Sequence, residues 1–369
     1  MKKGAFKCLY LVSVFLCSVL EVNAQLDSIV DMGVYRTFIV HTPAGYTPDN
    51  QYPLVINLHG LNSNAAAQQA YSQFDPVADA ENFIVVYPNA LEGSWAINGE
   101  SDVNFIIHLI DTLRSRYSLN DCLFVTGMSM GGFLTYKLAC ALPQPPTAVA
   151  VVSGNMAQPL LNTCFSANGL PVLHFHGTSD PLVDFNGTFG IPPVETTIQW
   201  WVNENNCSDV PMTTLLPNTH PEDNCTVEKY EYTNGSNGSE VIFYKIINGG
   251  HTWPGSLSLS PLGNTNQDIE ASELIGSFFR RFCTAVVDNT EVTPPGQVFI
   301  YPNPANSIIN IRANMRFETI DLYDLNGKVV ASFQNPDSSL PLPLSLAKGM
   351  YLLRINTNNN FIIKKICIK

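Results

Sequence analysis

The chain has 369 residues, 45% hydrophobic and 14% charged, too apolar for a disordered protein and long enough for one large domain plus something small. Its formal net charge of −12 is unevenly spread: residues 25–283 hold 8 Lys+Arg against 24 Asp+Glu, while residues 299–369 hold 8 against 4. The acidic part would repel polyanions, which argues against nucleic acid as a main partner, because that binding needs a basic face to neutralise phosphates.

Lys2, Lys3 and Lys7 precede an apolar stretch from Leu9 to Leu20, and Ala24 puts a small residue where a signal peptidase would cut before Gln25. This pattern predicts a secretion signal over 1–24. The apolar run is about half of the roughly 20 residues that a bilayer crossing needs. Cys17 follows Val-Phe-Leu rather than the small residues of a lipid-anchor site, and no later segment is long enough to span, so no stable membrane insertion is expected.

Residues 35–41 alternate like a half-buried strand, and 53–58 are almost wholly apolar, like a strand covered on both faces. Residues 82–87, 122–126, 147–153 and 172–176 repeat the second pattern, with helices expected over 102–117, 132–141 and 269–281. Strands alternating with helices predict an α/β fold, a mainly parallel sheet with helices on both faces, over residues 25–283. Between 203 and 250 the texture turns to Asn, Thr and Pro, and alternating segments at 226–232 and 240–247 predict a hairpin near the sheet's edge. Residues 284–298, with Pro294-Pro295-Gly296, read as a linker. Short alternating strands with turns at Asn326-Gly327 and Lys348-Gly349 then predict a small β-sandwich over 299–369.

Seven of the nine cysteines would remain after signal removal. Cys122, Cys140, Cys164, Cys207, Cys225 and Cys283 lack the short paired spacing of a zinc site, and export favours disulfides. Proximity along the chain suggests 140–164 and 207–225, leaving 122–283, with Cys367 unpaired.

Gly127-Met128-Ser129-Met130-Gly131 lies between a buried strand and a helix. A serine there sits on a sharp turn above the sheet, and the glycines let strand and helix approach closely. A serine hydroxyl needs a base to take its proton, and in this architecture the partners follow in the order Ser, acid, His. His174 and His176 precede the acid candidates and read as packed or loop-orienting residues, and His220 sits in the Pro- and Asn-rich stretch. His251, in a loop after Gly249-Gly250, is the expected base. Asp180 directly follows the strand over 172–176 and is the expected acid, with Asp184 as its rival. The backbone N–H groups of Leu61 and Met130 are placed to hold an oxyanion. His59 reads as structural. Trp253 and Trp95 are candidates for stacking on a sugar or an aromatic acyl group, with local packing as the alternative for each. No nucleotide loop or metal-ligand cluster appears, and this chemistry requires no cofactor.

The pieces Pro53-Leu-Val, Leu58-His-Gly, Val125-Thr-Gly-Met-Ser-Met-Gly-Gly132, His176-Gly-Thr-Ser-Asp-Pro-Leu-Val183 and Gly250-His-Thr-Trp-Pro-Gly255 together resemble the polyhydroxybutyrate depolymerase and feruloyl esterase family of secreted α/β-hydrolases. The resemblance spans roughly 33–283 and implies Ser129, Asp180 and His251 as nucleophile, acid and base, acting on polyester or plant polysaccharide esters. Cys122 departs from the basic or polar residue expected there. The tail, with Tyr301-Pro-Asn-Pro-Ala305, Asp321-Leu-Tyr-Asp-Leu-Asn-Gly-Lys328 and Gly349-Met-Tyr-Leu-Leu-Arg354, resembles the C-terminal sorting domain of the Bacteroidetes type nine secretion system. That resemblance implies export by the secretion machinery and removal or anchoring of the tail. A tail that binds carbohydrate or the main domain is the alternative. For the whole chain, the expected function is a secreted serine esterase. A peptidase of the same fold, or a surface adhesin that binds polysaccharide without cleaving it, are the alternatives.

Overall fold

The computed structural model describes residues 26–164, 169–258 and 260–283, then 298–301, 303, 305, 307–313, 317–324, 327–334, 339–343, 346–357 and 360–368. The signal expected over 1–24 and the linker expected over 284–298 lie outside the described residues, except that Val298 already opens a strand.

The first strands, β1 (Leu26–Asp31) and β2 (Val34–His41), form an antiparallel pair. Next, β3 (Tyr52–Leu58) leads into α1 (Ala65–Ser72) and α2 (Phe74–Glu81), β4 (Ile84–Pro88) into α3 (Ser101–Arg116), and β5 (Leu119–Met128) into α4 (Met130–Ala141). After these, β6 (Ala148–Val152) leads into the short α5 (Gln158–Leu161), and β7 (Val172–Gly177) into α6 (Val194–Glu204). Then come β8 (Met212–Leu215), β9 (Thr226–Tyr232), β10 (Val241–Ile247) and α7 (Ala271–Phe282). The ten strands form one sheet in the order β1-β2-β4-β3-β5-β6-β7-β10-β9-β8. Its central strands β4, β3, β5, β6, β7 and β10 run parallel, and the pairs at either side are antiparallel. This is the α/β-hydrolase arrangement.

The apolar runs behave as their composition requires. Every residue of β4, β6 and β7 is buried, and successive side chains feed opposite faces of the sheet. Leu54, Ile56, Val125, Val149, Val151 and Phe243 enter one core, whereas Val55, Val85, Phe124, Ala150, Phe175 and Tyr244 enter the other. On the second face Phe279 of α7 stacks on Phe124 with centroids 4.5 Å apart. The expected hairpin is β9–β10, but β10 lies inside the sheet beside β7 and the edge is β8. All four residues of β8 are exposed, so no alternation marks it in the sequence.

Two faces also explain the cysteines. Disulfides join Cys122 to Cys283 and Cys140 to Cys164, as expected. The expected 207–225 bond is absent: both are buried free thiols. Cys207 belongs to one core and Cys225 to the other, so the sheet stands between them. Eighteen residues of chain separation says nothing about which face a side chain reaches.

In the tail, β11 (Val298–Tyr301), β12 (Ile308–Ala313), β13 (Thr319–Tyr323), β14 (Val329–Gln334), β15 (Ser339–Pro341), β16 (Gly349–Thr357) and β17 (Asn360–Ile368) make two antiparallel sheets. Their orders are β11-β12-β15 and β14-β13-β16-β17. Ile309, Ile311 and Leu340 of one sheet share a core with Ile320, Leu322, Leu353, Ile355 and Ile366 of the other, a sandwich. Among the described residues no helix is long and apolar enough to cross a membrane.

The Cys122–Cys283 bond closes a loop of 161 residues. A bond closing so long a loop is expected to contribute about 3–5 kcal/mol by restricting the unfolded chain. Replacing both cysteines by serine should lower the urea midpoint accordingly. Alkylation of the unfolded, unreduced protein should label Cys207 and Cys225 and leave Cys122, Cys140, Cys164 and Cys283 unmodified, which peptide mass spectrometry reads directly.

Candidate active site

The parallel strands deliver their following loops to one rim, where open α/β sheets carry their sites. Ser129 follows β5 and has φ 54° and ψ −122°, a conformation that L residues rarely adopt and that costs of order 1–3 kcal/mol. The surroundings hold it there. Its N–H donates to the Val152 carbonyl at 3.0 Å, and its carbonyl accepts from Phe133 in the first turn of α4 at 3.0 Å. Gly131 allows that turn to press on β3, since a Cβ at 131 would lie 2.3 Å from the Leu58 carbonyl oxygen. The Met130 N–H opens α4, where a helix leaves its first amides without intrahelical acceptors and its dipole favours negative charge.

Asp180 and His251 meet directly, with His251 Nδ1 donating to Asp180 Oδ2 at 2.8 Å and both residues buried. A carboxylate only accepts, so the imidazole proton sits on Nδ1 and Nε2 is left as the basic nitrogen. Asp180 Oδ1 takes the N–H groups of Leu182 and Val183 at 2.8 Å each, and the His251 N–H is tied to the Leu262 carbonyl at 2.7 Å. The rival Asp184 is exposed and caps its own turn at the N–H of Asn186. His220 is half exposed and lies against Thr219.

Among the described hydrogen bonds the Ser129 hydroxyl has none to His251. The two are joined through the loop after β6: Ser153 donates its hydroxyl to the Thr252 carbonyl at 3.2 Å, and a Cβ on Gly154 would lie 3.0 Å from the Ser129 carbonyl oxygen. Ser153 also has a positive φ, 48°. No motif marks this pair of residues in the sequence.

Gly60 lies against Ser129, since a Cβ there would be 3.3 Å from Ser129 Cβ and 3.8 Å from its Oγ. His59 fixes the Gly60–Leu61 peptide. The Ala90 N–H donates to His59 Nε2 at 3.0 Å, so the ring proton is on Nδ1 and goes to the Gly60 carbonyl at 2.7 Å. Burial pushes the His59 pKa down, against the raising effects of the Gly60 carbonyl and Asp102, and the neutral tautomer that this geometry needs is favoured. In a trans peptide the N–H points opposite to the C=O, so the Leu61 N–H faces away from the ring.

The two tryptophans require correction as substrate-stacking residues. Trp253 is 1% exposed, within the core, with Nε1 donating to Ser272 Oγ at 3.1 Å. Trp95 is 2% exposed, and its Nε1 donates to the His59 carbonyl at 2.8 Å. Neither ring offers a face to a ligand; both support the loops that carry the rim. No group of three His, Cys, Asp or Glu able to hold a metal occurs among the described residues.

Gly131→Ala should force backbone atoms apart and lower stability by about 3 kcal/mol, the upper end for overpacking. Gly45→Ala, where a Cβ meets nothing within 4 Å, serves as the control and should stay within about 0.5 kcal/mol of the parent. Urea unfolding of both variants measures the difference, and coincident midpoints would contradict the close-approach argument.

Residues 29–206 match the esterase family model, described as "Putative esterase", and residues 299–369 match the model described as "Secretion system C-terminal sorting domain". The first match contains Ser129 and Asp180 and stops before His251. A bifunctional acetylxylan esterase/xylanase of Neocallimastix patriciarum is 28% identical over 163 residues, which cover 43% of this chain and 24% of that protein. A "Probable feruloyl esterase C" of Aspergillus terreus is 30% identical, covering 41% of this chain and 57% of that protein. Feruloyl esterase B of Piromyces equi is 28% identical, covering 58% and 42%. The chain thus spans between about a quarter and three fifths of the length of these curated relatives. The esterase match thus falls on residues 29–206, within the large sheet domain, and the sorting-domain match on residues 299–369 indicates export or the cell surface.

Proposed function

We propose that this protein is an exported serine hydrolase of carboxylic esters, acting through an acyl-enzyme. The observation that carries the reading is the buried Asp180–His251 hydrogen bond of 2.8 Å on the rim where Ser129 is held at positive φ. His251 Nε2 takes the Ser129 proton as Oγ attacks the ester carbonyl. The tetrahedral oxyanion is held by the N–H groups of Leu61 and Met130. The C–O bond then breaks, and the alcohol leaves with the proton from His251. Water, deprotonated by the same imidazole, attacks the acyl group and releases the acid. Asp180 keeps the tautomer and stabilises the imidazolium. Hydrogen bonds of this kind commonly tighten only when substrate is bound, so the lack of a Ser129–His251 bond among the described hydrogen bonds does not oppose this reading.

For substrate, the names of the relatives support acetyl or feruloyl esters of plant polysaccharide, and the motif resemblance adds polyester as a further possible polymer class. The partner of the tail is the export machinery. The body's excess of 24 acidic over 8 basic residues suits an uncharged ester polymer better than a polyanion.

Ser129→Ala should abolish p-nitrophenyl acetate hydrolysis, and Asp180→Asn should lower kcat by about 10⁴. Unchanged turnover in Ser129→Ala would end the proposal. Acid release compared on methyl ferulate, acetylated xylan and polyhydroxybutyrate film then identifies the acyl group and the polymer.

A further inference from the structure

Behind the acid lies a row of buried polar groups that the proposed reaction does not use. His174 and His176 lie two apart on β7, both fully buried, with parallel rings whose centroids are 5.5 Å apart. Tyr136 Oη is 2.8 Å from His174 Nδ1, and His174 Nε2 is 3.3 Å from His176 Nδ1. His176 Nε2 is 2.8 Å from the Val183 carbonyl and 3.5 Å from Asp180 Oδ2. Around them stand Trp201, Phe185 and Phe243.

The proton positions follow from the end of the row. A carbonyl only accepts, so His176 carries its proton on Nε2 and its Nδ1 accepts. His174 must then donate from Nε2, and its own Nδ1 receives the Tyr136 hydroxyl proton. Burial favours the uncharged forms: it pushes His174 well below its ordinary pKa, lowers His176 despite the raising effect of Asp180, and raises Tyr136. The titratable groups facing His176 are Asp180, His251 and His174.

We infer that Tyr136, His174 and His176 form a one-way hydrogen-bond relay that positions Asp180, making His176 a positioning residue for the acid–base pair. The inference rests on the reading of Ser129, Asp180 and His251 as a triad. The Val183 residue is the lever. Its N–H is held by Asp180 Oδ1 and its carbonyl by His176 Nε2, so the turn that aims Asp180 Oδ2 at His251 is clamped from both sides. Neutral rings serve this role best, because a charged His176 would compete with His251 for the same carboxylate oxygen. A misplacement of about 1 Å at a catalytic group can cost 10²-fold in rate.

A double-mutant cycle on the full chain with p-nitrophenyl acetate tests this. His176→Phe keeps the ring and loses the donor. It should lower kcat by about 10- to 100-fold at nearly constant KM. The same substitution in an Asp180→Asn background should lower kcat by less than twofold further. Tyr136→Phe removes one oxygen at the far end, keeps the proposal testable if His176→Phe does not fold, and should lower kcat by a smaller factor that also vanishes in the Asp180→Asn background. Losses that multiply in that background, or fall on KM instead of kcat, overturn the relay. An Asp180→Asn enzyme with full kcat overturns the triad reading, and the relay with it.

Discussion

Because residue 131 has no side chain, the first turn of α4 can lie against the carbonyls of Leu58 and His59, and that contact sets the rest of the rim. It brings the end of β3 beside the end of β5, and so the Gly60–Leu61 peptide beside Ser129. It also fixes where α4 begins, and thereby the direction in which the Met130 amide is offered. The strained backbone of Ser129 persists because bonds to Val152 and Phe133 over-determine it, the condition under which such conformations survive.

Histidines recur at this rim in a consistent way. His59 orients a peptide of the β3 loop, His176 a peptide of the β7 loop, and His251 takes its orientation from Asp180. Burial lowers the pKa of His59 and of His176, so each works as a fixed dipole with one donor and one acceptor rather than as a charge. Beside the buried Asp180 carboxylate, the histidines of this rim are oriented groups, and neutral ones cost less to bury than ions.

Much of the fold was legible in the sequence. Strands covered on both faces leave continuous apolar runs, and this made β3, β4, β6 and β7 readable. The Gly-flanked Ser129, Asp180 after its strand and His251 in the loop after β10 were all readable as candidates, and the fold joins Asp180 to His251. Edge elements were not legible: β8 is four exposed residues, and β1 mixes exposed and half-buried positions. For Trp95 and Trp253 the choice between stacking and packing stayed open, because an indole does either with equal ease, and only the fold shows that both lie inside. The Cys207–Cys225 expectation failed for a related reason, since separation along the chain is blind to which face of a sheet a side chain enters. The His174–His176 pair was read as packed or loop-orienting, but its partner Tyr136 lies 38 residues away, and no local pattern connects them.

The bond between Cys122 and Cys283 fastens the residue just beyond α7 to the central strand that leads into Ser129. Any tension transmitted from the C-terminal side therefore reaches β5 through a covalent tether and bypasses the α7 packing. The helix cannot be peeled away from its end, so the strand that leads into Ser129 and the residue after α7 share a single mechanical fate.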